Sequence, residues 1–322
     1  MSAQSEWRLG ELKATRDLAS DIRLIEIKPS GGFVQPTPGG HMKVEVRIAG
    51  RPDSRSYSVV GPCADGVYRI AVKRLKDSRG GSAYMWGLAP GALIKIAGPD
   101  NNFTLRRGQE NYLLVAGGIG ITPIYSHALA LSRAGAQFRV LYAAHEREDF
   151  ALAKELREAI GDRLQTFCGA EGKRIELGAE FEKLAPGAEV YLCGPIGMLD
   201  AAKTAWAATG RPFDLLRFET FGASGSRPTV PFEIRLPHLN RTIPVPASKS
   251  MLEALEEAGV EMISDCRKGE CGLCALKILG VDGEVDHRDV FFSDEEKAAN
   301  AKLCTCVSRV YGSAITLETA DR

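Results

Sequence analysis

The sequence lacks the features that would place it in a membrane, on nucleic acid or outside the cell. Its longest nearly uncharged apolar stretch, Tyr112 to Tyr125, is interrupted by glycines and a proline and is too short to cross a bilayer. Lysine and arginine (41) balance aspartate and glutamate (41), so no general nucleic-acid-binding surface is indicated. Residues Met1 to Leu12 mix acids and bases without an apolar core, so no signal peptide is expected. We therefore expect a cytoplasmic protein whose eight cysteines serve as metal ligands or free thiols and not as disulfides.

Repeats and low-complexity tracts are also missing. Hydrophobic residues (44%) and charged residues (25%) are in the balance of a folded globular protein, and 322 residues suffice for two or three domains. The zero net charge hides an asymmetry: residues 251–322 contain 15 acidic and 8 basic side chains, whereas residues 1–250 contain 26 acidic and 33 basic ones. This asymmetry indicates either separate domains whose opposite charges help them dock, or two surfaces that merely differ.

The first third of the chain has the pattern of β structure. Three short apolar or alternating runs, Ile22 to Ile27, Met42 to Ile48 and Tyr68 to Val72, are separated by glycine and proline. Short strands at such close spacing predict a small antiparallel barrel.

From Asn111 onward, predicted strands alternate with predicted helices. Such alternation is typical of a parallel α/β sheet. The predicted strands are Tyr112 to Ala116, Phe138 to Ala143 and Val190 to Cys193, and the predicted helices are Ile124 to Ala134 and Phe150 to Ile160.

A small and flexible segment, Gly222 to Pro228, is the best candidate for a linker. After it, Val230 to Leu236 and Arg241 to Val245 are predicted to form a hairpin. A helix is predicted from Ser250 to Ala258, with Ser248 or Ser250 as its N-cap.

Cysteines at fixed spacing form the most specific motif. Cys266, Cys271 and Cys274 follow a C-x₄-C-x₂-C pattern, and Cys306 lies 32 positions farther on. Two irons need four thiolates, and this spacing is that of a plant-type [2Fe–2S] cluster. Structural zinc sites usually bring two short-spaced ligand pairs, and a Rieske cluster needs two histidines, whereas residues 251–322 have only His287. Cys304 competes with Cys306 for the fourth position, because residues two apart on a strand face the same side.

A glycine-rich turn follows the predicted strand Tyr112 to Ala116. Gly118-Ile119-Gly120-Ile121-Thr122-Pro123 opens the next helix, which would direct backbone N–H groups at a negatively charged ligand. Pro123 replaces the third glycine of the dinucleotide fingerprint, so a purely structural turn explains the motif equally well. Cys193-Gly194-Pro195 ends another predicted strand and adds a second loop to the same sheet edge, where ligands bind in open α/β folds.

Taken together, these segments resemble the phthalate dioxygenase reductase family over nearly the whole chain. The resemblance implies an antiparallel flavin-binding barrel in residues 1–106, a parallel α/β nicotinamide-binding domain in residues 107–224, and a β-grasp plant-type ferredoxin in residues 229–322. The matching segments, in order, are Arg55-Ser56-Tyr57-Ser58, Ala71-Val72-Lys73, Arg79-Gly80-Gly81-Ser82, Gly117 to Pro123, Cys193-Gly194-Pro195, Phe218-Glu219-Thr220-Phe221-Gly222 and the cysteine loop.

The family implies an oxidoreductase that takes a hydride from NADH, passes it to FMN, and sends single electrons through a [2Fe–2S] cluster to a Rieske non-haem iron oxygenase. The alternatives are a reductase for a diiron or haem monooxygenase, and an electron-carrier module without turnover. A monomer without membrane or nucleic-acid partners is expected.

The resemblance also implies roles for individual residues. Arg55, Gly80, Gly81 and Ser82 would bind the FMN phosphate, with Ser56, Tyr57, Ala71, Val72 and Lys73 around the flavin and Ser58 near its N5 atom. Gly118 to Pro123, His145, Glu146, Gly194 and Pro195 would bind NADH, with Thr122 and Cys193 lining the nicotinamide site and Phe221 covering the flavin face. Cys266, Cys271, Cys274 and Cys306 would be the iron ligands. The sequence departs from the family at His145, where arginine is frequent, and at Asp265, where serine is frequent.

Overall fold

The computed structural model describes residues 6–48, 50–75, 80–221, 229–247 and 249–319. The chain divides into two compact units, Met1–Glu219 and Thr220–Arg322. Arg79, Ser248 and the predicted linker 222–228 lie outside the described residues. Among the described residues, no helix is both long and apolar enough to cross a bilayer. The cytoplasmic location stays a prediction.

The first sheet of the first unit is the predicted antiparallel barrel. Its strands are β1 (Arg8–Ala19), β2 (Ile22–Pro29), β3 (His41–Ile48), β4 (Arg51–Ser58), β5 (Tyr68–Lys73) and β6 (Leu93–Asp100), with helix α1 (Gly81–Trp86) between β5 and β6. They are ordered β4-β3-β6-β1-β2-β5. Val59, directly after β4, forms an antiparallel bridge with Ile70 of β5. This bridge joins the two edge strands, so the sheet closes on itself around a core of buried aliphatic side chains.

The second sheet is parallel and confirms the predicted α/β architecture. It consists of β7 (Asn111–Gly117), β8 (Gln137–Ala144), β9 (Leu164–Cys168), β10 (Glu189–Cys193) and β11 (Leu216–Glu219), with helices α2 (Ile121–Arg133), α3 (Ala153–Ile160), α4 (Leu177–Glu182) and α5 (Ile196–Ala208). The strand order is β11-β10-β7-β8-β9. The order of the strands therefore reverses at β7. Sheets of this kind bind ligands at the carboxyl ends of the strands where the order reverses, here β7 and its neighbour β10. Helix α3 begins three residues after the predicted start at Phe150, because Leu152 has a left-handed backbone (φ 60°).

Helix α2 connects the barrel and the parallel sheet within the first unit. The Ser126 hydroxyl donates to the carbonyl of Val59 (2.9 Å) and accepts from the N–H of Gly61 (3.0 Å). Barrel residues Ile22 and Leu24 pack in the same core as the residues of the parallel sheet. This shared core explains why the two predicted domains form one compact unit; their boundary at residues 106 and 107 stays a prediction.

His127 of α2 predicts a pH dependence of stability. The ring is fully buried, its Nε2 lies 3.0 Å from the carbonyl oxygen of Phe103, and burial lowers its pKa to about 4. The folded protein thus keeps His127 neutral while the unfolded chain, with a pKa near ~6.5, takes up a proton. Stability is therefore full above pH ~6.5 and falls toward pH ~4, with about 2 kcal/mol lost from this residue at pH 5.

Urea unfolding at pH 7 and pH 5 measures this effect. His127→Gln should remove about 2 kcal/mol of the pH-dependent difference. His238→Gln provides the control, because His238 is exposed and paired with Glu318. Equal pH dependence in wild type and His127→Gln would contradict the assignment.

The second unit contains a mixed five-stranded sheet. It comprises β12 (Phe232–Leu236), β13 (Arg241–Val245), β14 (Ala275–Asp286), β15 (Lys302–Cys304) and β16 (Arg309–Glu318), together with α6 (Met251–Glu257) and α7 (Asp294–Ala299). The order is β13-β12-β16-β14-β15, with β12 and β16 parallel, which is the predicted β-grasp arrangement. Ser250 is the N-cap of α6, because its hydroxyl accepts the Glu253 N–H (3.2 Å) in a capping box.

Candidate functional site

A guanidinium group with an unused donor lies at the start of α1. Arg55 Nη1 contacts Asp53 Oδ2 (2.7 Å), whereas its buried Nη2 has no hydrogen-bond partner in the described part of the chain. A Cβ atom at Gly81 would lie 2.8 Å from Arg55 Nε, so only glycine lets the guanidinium rest against the first residue of the helix. A buried donor without a partner is costly, and an anion such as a phosphate would satisfy it. The residues present therefore fit the phosphate of a flavin.

The other predicted flavin residues surround this position on β4 and β5. Tyr57 shares a strand face with Arg55, and burial raises the pKa of its phenol to about 12. Ser56 is exposed, and Val72 and Ala71 are buried, so these two can contact a ligand mainly through their backbone. Lys73 pairs with Asp21 (3.3 Å), and the Ser82 hydroxyl accepts the N–H of Leu75 (3.3 Å).

Ser58 has a hydrogen-bond partner that no sequence motif indicates. Its hydroxyl donates to Glu219 Oε2 at 3.5 Å, and both side chains are almost completely buried (4% and 2% exposed). The two residues are 161 positions apart, so no local pattern could have paired them. A carboxylate at this place can fix the orientation of the Ser58 hydroxyl.

Two glycine loops meet at the carboxyl edge of the parallel sheet. A Cβ at Gly120 would lie 2.1 Å from the carbonyl oxygen of Cys193, and one at Gly117 would lie 2.6 Å from Pro195 Cδ. The loops after β7 and β10 are therefore in backbone contact, which requires glycine. Partly exposed Gly118, Ile119 and Gly194 form the surface of this edge.

The residues predicted to line the nicotinamide site lie below that surface. Thr122 is 2% exposed and its hydroxyl donates to the carbonyl of Ile119 (3.0 Å), while Cys193 is fully buried. Ile121 and Pro123 are buried in the first turn of α2. These side chains shape the loop, and the helix N-terminus leaves N–H groups for a phosphate.

His145 and Glu146 follow β8 at the same edge. Both side chains are exposed (80% and 51%), and His145 Nε2 lies 3.5 Å from Glu146 Oε1. Arg147, the next residue, is ion-paired with Glu171, which also contacts Lys173 (2.9 Å). Arg147, beside the predicted ribose contact, is thus already engaged by a carboxylate.

The cysteine loop of the second unit brings five thiols into one neighbourhood. The backbone N–H groups of Lys268 and Glu270 each donate to Cys266 Sγ at 3.4 Å. Hydrogen bonds from the Cys304 and Cys306 thiols lower the pKa of the Cys274 thiol, and Cys271 contacts Cys266. An all-thiol donor set with N–H groups directed at sulfur fits a [2Fe–2S] cluster, whose ligands are spread over two irons. Among the described residues, no three His, Cys, Asp or Glu side chains are grouped as ligands of a single metal ion.

Two glycines give the loop its tight shape. Gly269 and Gly272 have left-handed backbones (φ +76° and +72°). A Cβ at Gly272 would lie 2.3 Å from the ring of Phe291, and one at Gly269 would lie 2.6 Å from Val307 Cγ2. Neither position tolerates a larger residue, so the loop backbone is held close to its neighbours.

The structure brings both candidate fourth ligands next to Cys274. Cys304 is fully buried and pairs with Ala275 across β14 and β15, whereas Cys306 is 8% exposed. Cys306 also receives the N–H of Gly269 and interacts electrostatically with Cys266. Cys306 thus lies near Gly269 as well as Cys274, and its assignment as the fourth ligand stays a prediction. Phe221 belongs to the second unit and is 39% exposed; its role at a flavin stays a prediction.

Two family models match the chain. The model described as "2Fe-2S iron-sulfur cluster binding domain" matches residues 236–311, and the model "Oxidoreductase NAD-binding domain" matches residues 114–204. These matches confirm the predicted cluster-binding and nicotinamide-binding domains.

Several curated proteins are similar over most of their length. Phenoxybenzoate dioxygenase subunit beta of Ectopseudomonas oleovorans is 35% identical over 93% of this chain and 93% of its own. The heme-dependent oxidative N-demethylase beta subunit of Ectopseudomonas mendocina is 36% identical over 87% of this chain and 88% of its own. Phthalate dioxygenase reductase of Burkholderia cepacia is 33% identical over 96% of both chains.

Solved structures share the fold. Phthalate dioxygenase reductase, described as a modular structure for electron transfer from pyridine nucleotides to [2Fe–2S], matches 97% of this chain and 98% of its own, with a TM-score of 0.80 and 30% identity. An intact type IV self-sufficient cytochrome P450 monooxygenase matches 97% of this chain with a TM-score of 0.68 and 34% identity, and this chain spans only 41% of its length.

Proposed function

This chain belongs to the phthalate dioxygenase reductase family, and on that premise we propose that it is an NADH-dependent, FMN-containing reductase for a Rieske non-haem iron oxygenase. Its relatives include subunits of dioxygenase and monooxygenase systems, so the chain is an oxidoreductase that supplies an oxygenase with electrons. The FMN, the Rieske type of the acceptor and the monomeric state are parts of the proposal.

The observation that carries the FMN assignment is the unpartnered, buried Arg55 Nη2 beside Gly81. When bound, the flavin accepts two electrons as hydride and the iron–sulfur cluster takes them singly, which is the chemistry the cofactors supply. Arg55 and the backbone of Gly80 and Gly81 would hold the phosphate. Tyr57 would pack against the ring, and Ser58, fixed by Glu219, would hydrogen-bond near N5.

The remaining residues would position the electron donor and the cluster. The backbone of Gly118 to Gly120 and the start of α2 would bind the dinucleotide phosphates of NADH. Gly194 and Pro195 would border the nicotinamide, over the buried Thr122 and Cys193. Cys266, Cys271, Cys274 and Cys306 would hold the two irons, with the N–H groups of Lys268 and Glu270 stabilising the negative charge on Cys266.

A haem oxygenase is the second candidate acceptor. It is favoured by the name of the similar N-demethylase subunit, which is described as heme-dependent. Reduction assays with a Rieske oxygenase and a haem oxygenase from the same genome distinguish the two. An electron carrier without turnover is excluded as soon as NADH reduces the protein.

Two measurements on the purified protein test the proposed function. Anaerobic NADH should bleach the flavin absorbance and generate the spectrum of a reduced [2Fe–2S] cluster in electron paramagnetic resonance. Chromatography of the flavin released on denaturation should show FMN. A dominant FAD peak would overturn the flavin assignment, and a protein that NADH does not reduce would overturn the function.

We expect NADH to be preferred over NADPH by roughly fivefold or more in kcat/KM, since an exposed like-charge contact costs about 1 kcal/mol. Glu146 is exposed at the end of β8, where a carboxylate binds a ribose hydroxyl and repels a 2′-phosphate. Arg147, which could attract that phosphate, is paired with Glu171. Glu171→Gln should free Arg147 and reduce the preference. Steady-state assays with both nucleotides measure it, and a wild-type preference for NADPH would contradict this reasoning.

A further inference from the structure

A buried carboxylate lies against the cysteine loop within the second unit. Asp289, in the segment between β14 and α7, is fully buried. A Cβ atom at Gly269 would lie 2.8 Å from the Cα and 3.0 Å from the Cβ of Asp289, so only glycine lets the two residues come this close. The N–H of Val290 donates to the carbonyl of Gly269 (3.0 Å) and fixes this contact. Asp289 is therefore packed on the loop between Cys266 and Cys271.

Two hydrogen bonds orient the carboxylate of Asp289. The backbone N–H of Phe292 donates to its Oδ2 (3.0 Å), and the Ser308 hydroxyl donates to its Oδ1 (3.1 Å). The Ser308 hydroxyl itself accepts the N–H of Arg288 (3.2 Å), so its own proton points at Asp289. A buried carboxylate with a donor on each oxygen is held in one conformation.

The adjacent guanidinium is engaged by a different carboxylate. Arg288 contacts Asp286 Oδ2 through Nε (2.7 Å) and Nη2 (2.6 Å). On the other side, His287 Nδ1 lies 3.7 Å from Asp289 Oδ1, and His287 Nε2 is bound to Asn300 Oδ1 (2.8 Å). The charge of Arg288 is therefore balanced by Asp286 and not by Asp289.

Asp289 is ionised at neutral pH. Burial opposes ionisation of this carboxyl group, but the groups around it outweigh that effect and lower its pKa. In decreasing order of effect, these groups are His287, the Phe292 N–H, Lys297 and Ser308. The loop thus rests on a fixed negative charge in a buried position.

This negative charge acts on the cysteines. A hydrogen bond with Cys274, burial and the charge of Asp289 all raise the pKa of the Cys304 thiol. Asp289 therefore disfavours additional negative charge at the cluster position. Each electron that enters a [2Fe–2S] cluster adds one negative charge there, and a fixed negative charge in a buried site opposes this addition.

We propose that the buried negative charge of Asp289 lowers the reduction potential of the [2Fe–2S] cluster. The inference rests on the cluster of the proposed function and deepens it, because the potential determines how strongly the reduced cluster drives electrons onto the oxygenase. Net charge and hydrogen bonds around the sulfurs are the means by which a protein sets this potential. Asp289 lies 15 positions after Cys274 and 17 before Cys306, so the spacing of the cysteines assigns it no role.

Three variants of the full-length protein test this role. Asp289→Asn removes the charge and keeps an oxygen that can accept the Phe292 N–H. Asp289→Ser is a smaller neutral replacement, to be used also if the asparagine variant assembles no cluster. Glu295→Gln is the matched control, because it removes the same charge from an exposed position in the first turn of α7, where water and salt screen it.

Redox titration at neutral pH, followed by electron paramagnetic resonance of the reduced cluster, measures the potential. In Asp289→Asn the equilibrium should move roughly tenfold toward the reduced cluster. That shift is a rise in potential of about 59 mV for a one-electron couple. Asp289→Ser should move the potential in the same direction, and Glu295→Gln should leave it unchanged. Iron content and g-values should match the wild type in each variant, because a change of charge leaves the iron ligands in place.

An unchanged or lower potential in Asp289→Asn, or an equal rise in Glu295→Gln, would overturn the role of the Asp289 charge. Loss of the cluster from both Asp289 variants would also overturn it, since the carboxylate would then serve to hold the loop. A wild-type protein that NADH does not reduce would instead overturn the proposed function. That failure is seen in the wild type before any variant is compared, so the two failures are distinguishable.

Discussion

Cys306→Ser protein is expected to retain its flavin but to contain roughly a tenth or less of the wild-type iron, because a serine oxygen poorly replaces a soft thiolate. It should oxidise NADH with ferricyanide, which can take electrons from the flavin, at close to the wild-type rate. Its electron delivery to the oxygenase should fall by at least ~100-fold. Loss of an iron ligand should lower activity more than loss of a residue that only hydrogen-bonds to a ligand. Iron analysis and the two activity assays measure these effects.

Cys304→Ser is the matched control for this prediction. Cys304 also contacts Cys274, but it is fully buried and pairs with Ala275, whereas Cys306 receives the Gly269 N–H of the cluster loop. The Cys304 variant should keep its iron and both activities. If instead the Cys304 variant loses iron and the Cys306 variant keeps it, the fourth ligand is Cys304, although the electron path would stand.

Arg55→Ala is expected to weaken FMN binding by roughly 10- to 100-fold, the effect of removing a charged hydrogen-bond donor from a buried phosphate. The Nη2 group of Arg55 is buried and has no partner among the described residues, so it can donate to an anion. Titration of the flavin-free protein with FMN, followed by flavin fluorescence, measures the dissociation constant. Riboflavin, which lacks the phosphate, should bind wild type and variant equally.

Arg51→Ala controls for the general loss of a positive charge. Arg51 lies on the same strand but is exposed, and its removal should leave FMN affinity unchanged. Arg55→Lys should bind with intermediate affinity, because an ammonium is a point charge and lacks the forked geometry of guanidinium. Equal FMN affinity in Arg55→Ala and wild type would contradict the phosphate assignment.

Several strands could be predicted from the sequence because their burial pattern is local. Tyr112 to Ala116 is apolar throughout, and the structure buries it on both faces as β7. Strand β4 could not be recognised in the same way, since Arg51–Ser58 is almost entirely polar. Its strand conformation depends on pairing with β3, from His41 opposite Ser58 to Ile48 opposite Arg51. Pairing of that kind is a property of the folded chain.

The sequence by itself determined the order of the domains and the chemistry of the cluster loop. Cys266, Cys271 and Cys274 lie within nine residues, so their spacing alone specifies a local ligand set. The same holds for the glycines after β7, whose turn and helix start are neighbours in the chain.

Only the tertiary structure decided which distant residues meet. It placed Arg55 against Gly81, Ser58 beside Glu219, Glu270 on Thr220, and both Cys304 and Cys306 next to Cys274. Each of these pairs joins different elements or distant loops, and a periodic pattern carries no information about which elements pack together. Such contacts form when the entropy lost in closing the chain between two distant residues is offset by the burial of a shared core. Both contributions depend on the complete fold.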